Sequence, residues 1–343
     1  MDSVTLDDID RGLLHALRID GRAPFAKIAD VLDVSENTIA RRYRRLREAG
    51  VARVVGTVNG PLLGYTSWTI RIRCTPDAAA PIAAALATRP DTFWVHILSG
   101  GTEISCNVQT PSDDERDALL MDKLPRTGKV LDVSAHALLG GGTVPGEWAG
   151  LDWLTEDQAA RLRPEPAETT ATLADGDHAL LAALAQDGRM SYADLSARTG
   201  WSESTVKRRM AQLRGVVVFD VDVPPKALGY RAEARLWMTV RPSALIATAE
   251  AMAAHPETSF AAVTTGRTNL VAAVVCRDSR DLYRYLTESV GRLDDVHTVE
   301  TAPLIRTVKR QGAVTAGSPR RSPRADRTAD GSGHRPANAP GSR

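Results

Sequence analysis

Five arginines lie between positions 41 and 47, within the segment Ser35–Arg47 (SENTIARRYRRLR). Guanidinium groups at this density could bind nucleic-acid phosphates and the edge of a guanine base. Apolar Ile39, Tyr43 and Leu46 recur at helical spacing, so an amphipathic helix capped by Ser35 is predicted. The candidate DNA-contacting residues are Ser35, Asn37, Thr38, Arg41, Arg42, Arg44 and Arg45. A solvated surface helix would show the same pattern, so the neighbouring elements must decide.

Two apolar patterns precede this helix. They predict one helix from about Asp7 to Ile19 and another at Phe25–Leu32. Gly21 is expected to end the first helix in a left-handed conformation. A short helix, a tight turn and a longer basic helix form a helix-turn-helix, whose second helix reads the major groove of DNA. The order of elements therefore favours DNA binding.

The chain is a tandem repeat. Leu6–Arg22 (LDDIDRGLLHALRIDGR) is matched by Leu173–Arg189 (LADGDHALLAALAQDGR), close to the middle of the 343 residues. The second basic helix supplies the candidates Ser202, Ser204, Thr205, Lys207, Arg208 and Arg209. Ala211 and Gln212 stand where the first copy has Arg44 and Arg45. The first copy is therefore predicted to dominate affinity, and the second to read a different or looser half-site.

The periodicity changes after each helix-turn-helix. Strand-like and helical segments follow in the order βαββαβ: Trp68–Cys74, Ala78–Thr88, Phe93–Leu98, Ile104–Gln109, Ser112–Lys123 and Val130–Leu139. The second copy has Glu233–Arg241, Ala244–Ala254, Ser259–Thr264, Leu270–Cys276, Ser279–Gly291 and Val296–Ile305. This order is typical of a ferredoxin-like α+β fold with both helices on one sheet face. The other face needs cover, so the two sheets are expected to pack on each other, within the chain or between chains.

These patterns divide the chain into six segments. Helix-turn-helix (winged-helix-like) domains are expected at 1–58 and 173–222, and ferredoxin-like effector and assembly domains at 59–139 and 223–306. Segment 140–172 is expected to be a linker with a short helix at Thr155–Leu162 and with Trp148 and Trp153 docked on a domain. Segment 307–343 is expected to be a disordered basic tail.

Composition and motifs exclude several classes of protein. No apolar run reaches about 18 residues, which argues against a membrane span, and no signal peptide is expected. Cys74, Cys106 and Cys276 lie far apart without metal-ligand spacing, so buried thiols in a reducing cytoplasm are predicted. No HExxH, GxSxG, GxGxxG or P-loop motif occurs. We therefore expect no catalytic residue, metal or cofactor.

A family resemblance rests on residues spread over the first helix-turn-helix: Leu6-Asp7, Asp10, Leu14, Leu17, Asp20-Gly21-Arg22, Ile28-Ala29, Val34-Ser35, Thr38, Arg42, Leu46, Gly50-Val51 and Leu63-Gly64. This pattern resembles the Lrp/AsnC (leucine-responsive, feast/famine) transcriptional regulators, and both halves of the chain match it. The resemblance implies a fused pseudo-dimer that binds double-stranded DNA in the cytoplasm. It also implies self-association through the sheet domains and an amino acid or related small acid as effector.

The family's effector loop joins the second and third strands of the sheet domain with a Gly-x-x-Asp pattern. The corresponding candidates are Gly100, Thr102 and Glu103 in the first copy, and Gly266, Arg267 and Asn269 in the second. Glu103 is longer than aspartate and Asn269 is uncharged, so both depart from the pattern. A plain hairpin turn without a ligand is the alternative.

Two other functions remain open. Sirohaem decarboxylases share this two-domain plan, often as fused tandem copies. The strands TSWTIRIRC and RAEARLWMT lack the histidine-asparagine-tyrosine stretch associated with those enzymes, which favours a regulator. The other alternative is a nucleoid-type architectural protein that binds DNA broadly without an effector.

Overall fold

The computed structural model of the protein describes residues 5–118, 128–142, 148–165 and 172–315. The first half contains α1 (Asp8–Ile19), α2 (Phe25–Leu32), α3 (Glu36–Glu48), β1 (Arg53–Val58), β2 (Thr66–Cys74), α4 (Pro76–Ala87), β3 (Thr92–Leu98), β4 (Glu103–Thr110), α5 (Asp113–Asp117) and β5 (Val130–Gly142). A short helix α6 (Glu156–Leu162) follows. The second half contains α7 (Asp177–Gln186), α8 (Tyr192–Thr199), α9 (Glu203–Gln212), β6 (Val217–Asp222), β7 (Ala232–Val240), α10 (Leu245–Ala253), β8 (Thr258–Thr264), β9 (Leu270–Cys276), α11 (Ser279–Arg284), β10 (Val296–Arg310) and β11 (Ala313–Val314).

Each half begins with the predicted helix-turn-helix. In the first, α1 starts at a capping box in which Asp7 and Asp10 accept each other's backbone N–H. Leu13, Leu14 and Leu17 of α1 are fully buried against the other two helices, which removes their apolar surface from water. In the described part of the chain, no helix is both long enough and apolar enough to cross a membrane.

A two-stranded antiparallel ribbon joins the two helix-turn-helix domains. β1 and β6 pair over their full length, from Arg53 opposite Asp222 to Val58 opposite Val217. Each strand follows the third helix of its own domain, so the ribbon links the ends of the two basic helices.

The two βαββαβ units form one closed ring of eight strands. The strands are neighbours in the order β10, β3, β4, β2, β5, β8, β9 and β7, and β7 pairs again with β10. The long strands β5 and β10 each reach from their own sheet to the other half, where they pair with β8 and β3. Leu98, Trp237 and Val271 are buried together between the sheets. The two sheets therefore pack on each other within the chain, which is one of the two arrangements expected from the sequence.

Two expected segment boundaries are wrong. Gly140-Gly141-Gly142 is part of β5 rather than linker, because β8 of the other half offers its backbone to this stretch. Residues 307–315 are not a disordered tail, because β10 continues to Arg310 and pairs with β11. The remaining tail residues, 316–343, and part of the predicted helix Ser112–Lys123 lie outside the described residues.

Residues 148–162, which we call the strap, dock on the first helix-turn-helix. Gln158 Nε2 of α6 donates to the carbonyl of Val31 at 3.1 Å, and Leu162 is fully buried in that domain's core. At its other end, Trp148 is buried as expected, and its Nε1 donates to the carbonyl of Pro256 at 3.0 Å. Trp153 stays 48% exposed. The strap thus ties the first helix-turn-helix to the second sheet domain.

His15 of α1 holds the middle of the strap. Its Nδ1 accepts the backbone N–H groups of Trp153 and Leu154, each at 2.9 Å. Burial lowers the pKa of His15 and the Arg18 guanidinium lowers it further, while Asp152 acts in the opposite direction. The neutral imidazole with a free Nδ1 lone pair is therefore the form that the strap requires.

Candidate nucleic-acid interface

The first basic helix, α3, presents an exposed cationic face. Ser35 caps it by accepting the backbone N–H of Thr38 at 3.1 Å, while Ile39 and Leu46 are fully buried. Arg41 and Arg44 are exposed and form no hydrogen bond or ion pair with the part of the chain that the structure describes. Asn37 at the start of the helix is exposed as well. These side chains are free to meet phosphates and base edges.

Arg42 is a candidate DNA contact whose guanidinium is engaged within the domain. Its NH1 group lies 2.7 Å from Asp7 and 2.9 Å from Asp10, and the Asp10 side chain is fully buried. The hydrogen bond to Asp7 raises the pKa of Arg42, with burial acting in the opposite direction. Arg45 also reaches Asp10, although half of its side chain remains exposed. Arg42 therefore joins α3 to α1, because an unpaired Asp10 carboxylate would be costly inside the domain.

The second basic helix, α9, likewise has one arginine paired inside its domain and other cations exposed. Arg209 Nε donates to Asp177 at 2.7 Å, and Asp177 is buried as Asp10 is, so Arg209 joins α9 to α7 as Arg42 joins α3 to α1. Lys207 and Arg208 are exposed and have no ion pair within the described residues. The Asp-to-Arg pairing was visible in the repeat, since both copies carry the aspartate and the arginine at matching positions.

Ser202 caps α9 as Ser35 caps α3, with its Oγ accepting the N–H of Thr205 at 3.2 Å. Ser204 stands in the place of Asn37, and its hydroxyl lies 2.9 Å from Ser202 Oγ. A cap-bound hydroxyl reaches less far than an amide, so this position offers DNA less than Asn37 does.

The two helix-turn-helix domains hold each other by reciprocal arginine contacts. Arg22 donates to the carbonyl oxygens of Gly188 and Met190, at 2.6 and 3.2 Å. Arg189 donates to those of Gly21 and Ala23, at 2.8 and 3.0 Å. Such a self-complementary arrangement is the interface of a two-fold dimer, here made within one chain.

Gly21 serves this contact and not a left-handed turn. It is not among the glycines with positive φ, which corrects the expectation for the end of α1. A Cβ on Gly21 would lie 2.9 Å from Phe219 Cβ, and one on Gly188 would lie 2.8 Å from the backbone of Val55. Glycine is needed at both positions because the other domain's ribbon strand approaches so closely.

The recognition helix itself touches the second domain. The Arg189 guanidinium lies 4.3 Å from the Phe25 ring centroid and 5.6 Å from that of Tyr43. Arg47, near the end of α3, forms an ion pair with Asp187 at 2.7 Å. The orientation of α3 is thus set from both domains, which fixes the two basic helices relative to each other.

The first candidate effector loop keeps its glycine turn, but its acid points inward. Gly100 has a φ of 69°, a conformation that favours glycine, and Thr102 is exposed. Glu103 is only 4% exposed, and its carboxylate accepts from Arg71 at 2.8 Å and from Trp237 Nε1 at 3.3 Å. Glu103 is therefore held by Arg71 of its own sheet and by Trp237 of the other sheet, and its role toward an effector stays a prediction.

The second candidate loop differs from the first. A Cβ on Gly266 would meet the His136 ring at 2.3 Å, so glycine is required by packing. Asn269 is committed to the backbone of Val240, donating to its carbonyl and accepting its N–H, both at 2.8 Å. Arg267 is exposed. Of the six candidates, Gly100, Thr102, Gly266 and Arg267 remain accessible.

Comparison with known proteins agrees with this arrangement. The model of the AsnC-type helix-turn-helix domain matches residues 6–47 and again residues 174–214, and that of the Lrp/AsnC ligand binding domain matches 233–314. An uncharacterized HTH-type transcriptional regulator of Pyrococcus abyssi is 32% identical over 139 residues, which are 40% of this chain and 87% of that protein. The chain belongs to the Lrp/AsnC family of transcriptional regulators.

Other members show how much of the chain is shared. The HTH-type transcriptional regulator AldR of Mycolicibacterium smegmatis is 31% identical over 125 residues, covering 35% of this chain and 72% of AldR. The crystal structure of the siroheme decarboxylase NirDL has a TM-score of 0.57 at 17% identity, covering 89% of this chain and 93% of NirDL. At that identity the likeness to NirDL concerns the fold alone.

Proposed function

We propose that this Lrp/AsnC family member binds DNA as a fused pseudo-dimer, with both heads supplied by one polypeptide. The observation that carries the proposal is the pair of capped basic helices, exposed at Arg41, Arg44 and Arg208 and held together by Arg22 and Arg189. Exposed cations on a recognition helix bind phosphates and read bases in the major groove. The reciprocal contacts fix the distance between the heads.

The two heads are unequal in this proposal. The first offers Asn37, Arg41 and Arg44, and part of Arg45, whereas the second offers Lys207 and Arg208. Asn37 has the chemistry to pair with adenine, and Arg41 with guanine or a phosphate. The first head therefore contributes more phosphate contacts and stricter base recognition, and the second head reads a looser half-site.

Selection of bound sequences from random duplex DNA tests this arrangement. The expected motif is not palindromic and has one strong and one weak half-site, about 34 Å or one helical turn apart. Replacing Asn37 by Ser and Ser204 by Asn should transfer the strict half-site preference from one head to the other. A palindromic motif, or one indifferent to the exchange, contradicts the proposal.

We also propose that a small-molecule effector, if an amino acid or related acid, meets the accessible parts of the effector loops. The ligand binding domain model covers the second loop, and exposed Arg267 there suits a carboxylate. Because Glu103 and Asn269 are committed internally, recognition of an ammonium group by these two side chains is not part of the proposal. When protein–DNA complexes are titrated with amino acids, we expect one amino acid to change the DNA affinity of the native chain and to have no effect on that of Arg267→Ala. An amino acid that acts equally on both contradicts this assignment.

An enzyme of the sirohaem decarboxylase type remains the alternative, and the shared fold with NirDL is the observation that favours it. The exposed recognition helices favour the regulator, since a decarboxylase does not need them. Titration of the purified chain with sirohaem distinguishes the two. We expect no saturable Soret shift; a stoichiometric one with loss of carbon dioxide from the substrate would support the enzyme.

A nucleoid-type protein would bind all DNA alike. Comparing affinity for a selected site with that for bulk DNA at one salt concentration separates the two, because specific binding exceeds non-specific binding by about 10³-fold or more. A ratio near one would favour the architectural alternative. Self-association through the sheet domains can be measured on the same samples by sedimentation.

A further inference from the structure

The inner faces of the two sheets enclose what we call the inter-sheet space. Its apolar part is formed by Leu98, Trp237, Ala262, Val271 and Ala302. Beside it lie buried polar side chains from both halves: Thr69, His96, Glu103, Ser105, His136 and Arg235. Arg71, which is partly exposed, lies next to them. An interior of this kind is stable only if its polar groups find partners.

Arg235 lacks such a partner. Its side chain is buried, with the residue 5% exposed, and its guanidinium lies 5.8 Å from the Phe260 ring centroid. Among the described residues it forms no hydrogen bond and no ion pair. Glu103 is the acid whose charge reaches it, and burial nevertheless lowers the pKa of Arg235 to about 10. Both oxygens of Glu103 are already taken by Arg71 and Trp237.

Further unsatisfied groups lie in the same space. Ser105 and Thr69 are fully buried, and neither hydroxyl has a hydrogen-bond partner. Ser105 lies in register between Arg71 on one neighbouring strand and His96 on the other. Arg71 Nε has no partner either. These groups line the inner face of the first sheet, since alternate residues of a strand share a face.

His96 lies beside Ser105 on the inner face of the first sheet. Its Nδ1 lies 3.1 Å from Thr307 Oγ1. Burial holds the pKa of His96 well below its usual value, and the charges of Arg235 and Arg310 lower it further.

Arg235 and Trp237 share one face of β7, as Glu103 and Ser105 share one face of β4. Because Trp237 Nε1 donates to Glu103 at 3.3 Å, Arg235 lies on the face of β7 that is turned toward the first sheet. Two hydroxyl groups and a neutral imidazole of the first sheet thus lie in the inter-sheet space together with an unpaired guanidinium of the second.

We propose that a small oxyanion binds in the inter-sheet space, between the Arg235 guanidinium and the Ser105 hydroxyl. The two are complementary to a carboxylate or an inorganic oxyanion, because a guanidinium donates two parallel N–H groups and a hydroxyl donates one more. The anion compensates a buried charge that otherwise destabilises the fold. This site does not use the exposed effector-loop residues Gly100, Thr102, Gly266 and Arg267.

Thermal unfolding of the full chain at constant ionic strength tests the proposal, with chloride exchanged for acetate in one series and for phosphate in another. We expect the midpoint to rise and saturate with at least one of them, as binding to the folded state requires. Response to acetate alone identifies a carboxylate site, and response to phosphate alone a tetrahedral-anion site. A chain that responds to neither overturns the proposal and leaves water as the partner of these groups.

Arg235→Met removes the charge while keeping a long side chain, and Arg198→Met does the same at an exposed position of α8. The saturable rise should vanish in Arg235→Met and persist in Arg198→Met, which separates binding from the general stabilisation by excluded salts. Equal responses in both variants contradict the proposal. If Arg235→Met does not fold, Ser105→Ala gives the same decision: the anion concentration for half-saturation should rise by about fivefold or more, and an unchanged value contradicts the site.

Discussion

Arg22 and Arg189 occupy matching positions in the repeat and grip each other's domain through the same kind of contact. Each guanidinium donates to two backbone carbonyl oxygens that follow the first helix of the other domain. Carbonyl acceptors at such a turn are independent of side chains, so the interface depends on backbone shape and on Gly21 and Gly188. A contact of this kind fixes the angle between two heads better than an exposed ion pair does.

Replacing Arg189 by lysine should loosen the pair of heads. Lysine keeps the charge but cannot donate in a fork to two carbonyl oxygens, and it loses the stacking on Phe25. We expect a loss of about 2 kcal/mol in the free energy of unfolding and a broader tolerance for half-site spacing. Arg198→Lys, on α8, is the matched control and should change neither. Unchanged spacing preference in Arg189→Lys would contradict the role of this contact.

Arg42 and Arg209 should behave as structural residues although both lie on basic helices. Arg42→Met leaves Asp10 buried with less compensation, so the free energy of unfolding should fall by about 2–4 kcal/mol. The double variant Arg42→Met/Asp10→Leu should be more stable than Arg42→Met alone. The salt dependence of DNA affinity should stay as in the native chain. If the salt slope of a folded Arg42→Met protein falls by about one, Arg42 contacts a DNA phosphate and this prediction is contradicted.

The strap should detach as the pH falls. The pKa of His15 is lowered in the folded state from an ordinary 6.5, so the unfolded chain binds the proton more readily. Stability from this group is therefore complete above pH 6.5 and is lost as the pH falls below it. Asparagine has an acceptor close to the position of Nδ1 and does not titrate.

Unfolding midpoints between about pH 5 and 8 check this account of His15. In His15→Asn the unfolding midpoint should fall less on acidification than it does in the native chain. Replacing His178, which is exposed, by asparagine should leave this fall unchanged. A native-like decline in His15→Asn would show that another group governs it. His15→Leu, which has no acceptor, should lose about 1–3 kcal/mol at neutral pH.

Local patterns predicted the helices and most strands because caps and periodicity act within a few residues. Phe25–Leu32 and Leu270–Cys276 were predicted to the residue. The extension of β5 through three glycines and of β10 to Arg310 was not predictable in this way, since each depends on a strand from the other half. Glycine and charge indicate a linker or a tail only when no backbone partner is available.

In the candidate DNA-binding helices too, local sequence patterns do not show which side chains have partners elsewhere in the fold. The sequence predicted the basic faces of α3 and α9, but arginines on one helix look alike before their partners are known. Arg41 faces solvent, whereas Arg42, its neighbour, pairs with Asp7 and Asp10. Comparing the two copies would have separated them, since the aspartate partner recurs with the arginine. Glu103 could not be assigned in this way, because Asn269 stands at its position in the second copy and Trp237, one of its two partners, lies in the other half of the chain.

One chain is expected to carry two unequal DNA-reading domains. This inequality is tested most directly by the affinity of Arg41→Ala and Arg208→Ala for the selected DNA site, measured across a range of salt concentrations. Each lost phosphate contact lowers the salt slope by about 0.9. We expect Arg41→Ala to lose more affinity for this site than Arg208→Ala does. The double variant Arg41→Ala/Arg44→Ala should lower the salt slope by the amount that corresponds to about two phosphate contacts. Equal losses in the two single variants, with the same salt dependence, would contradict the claim.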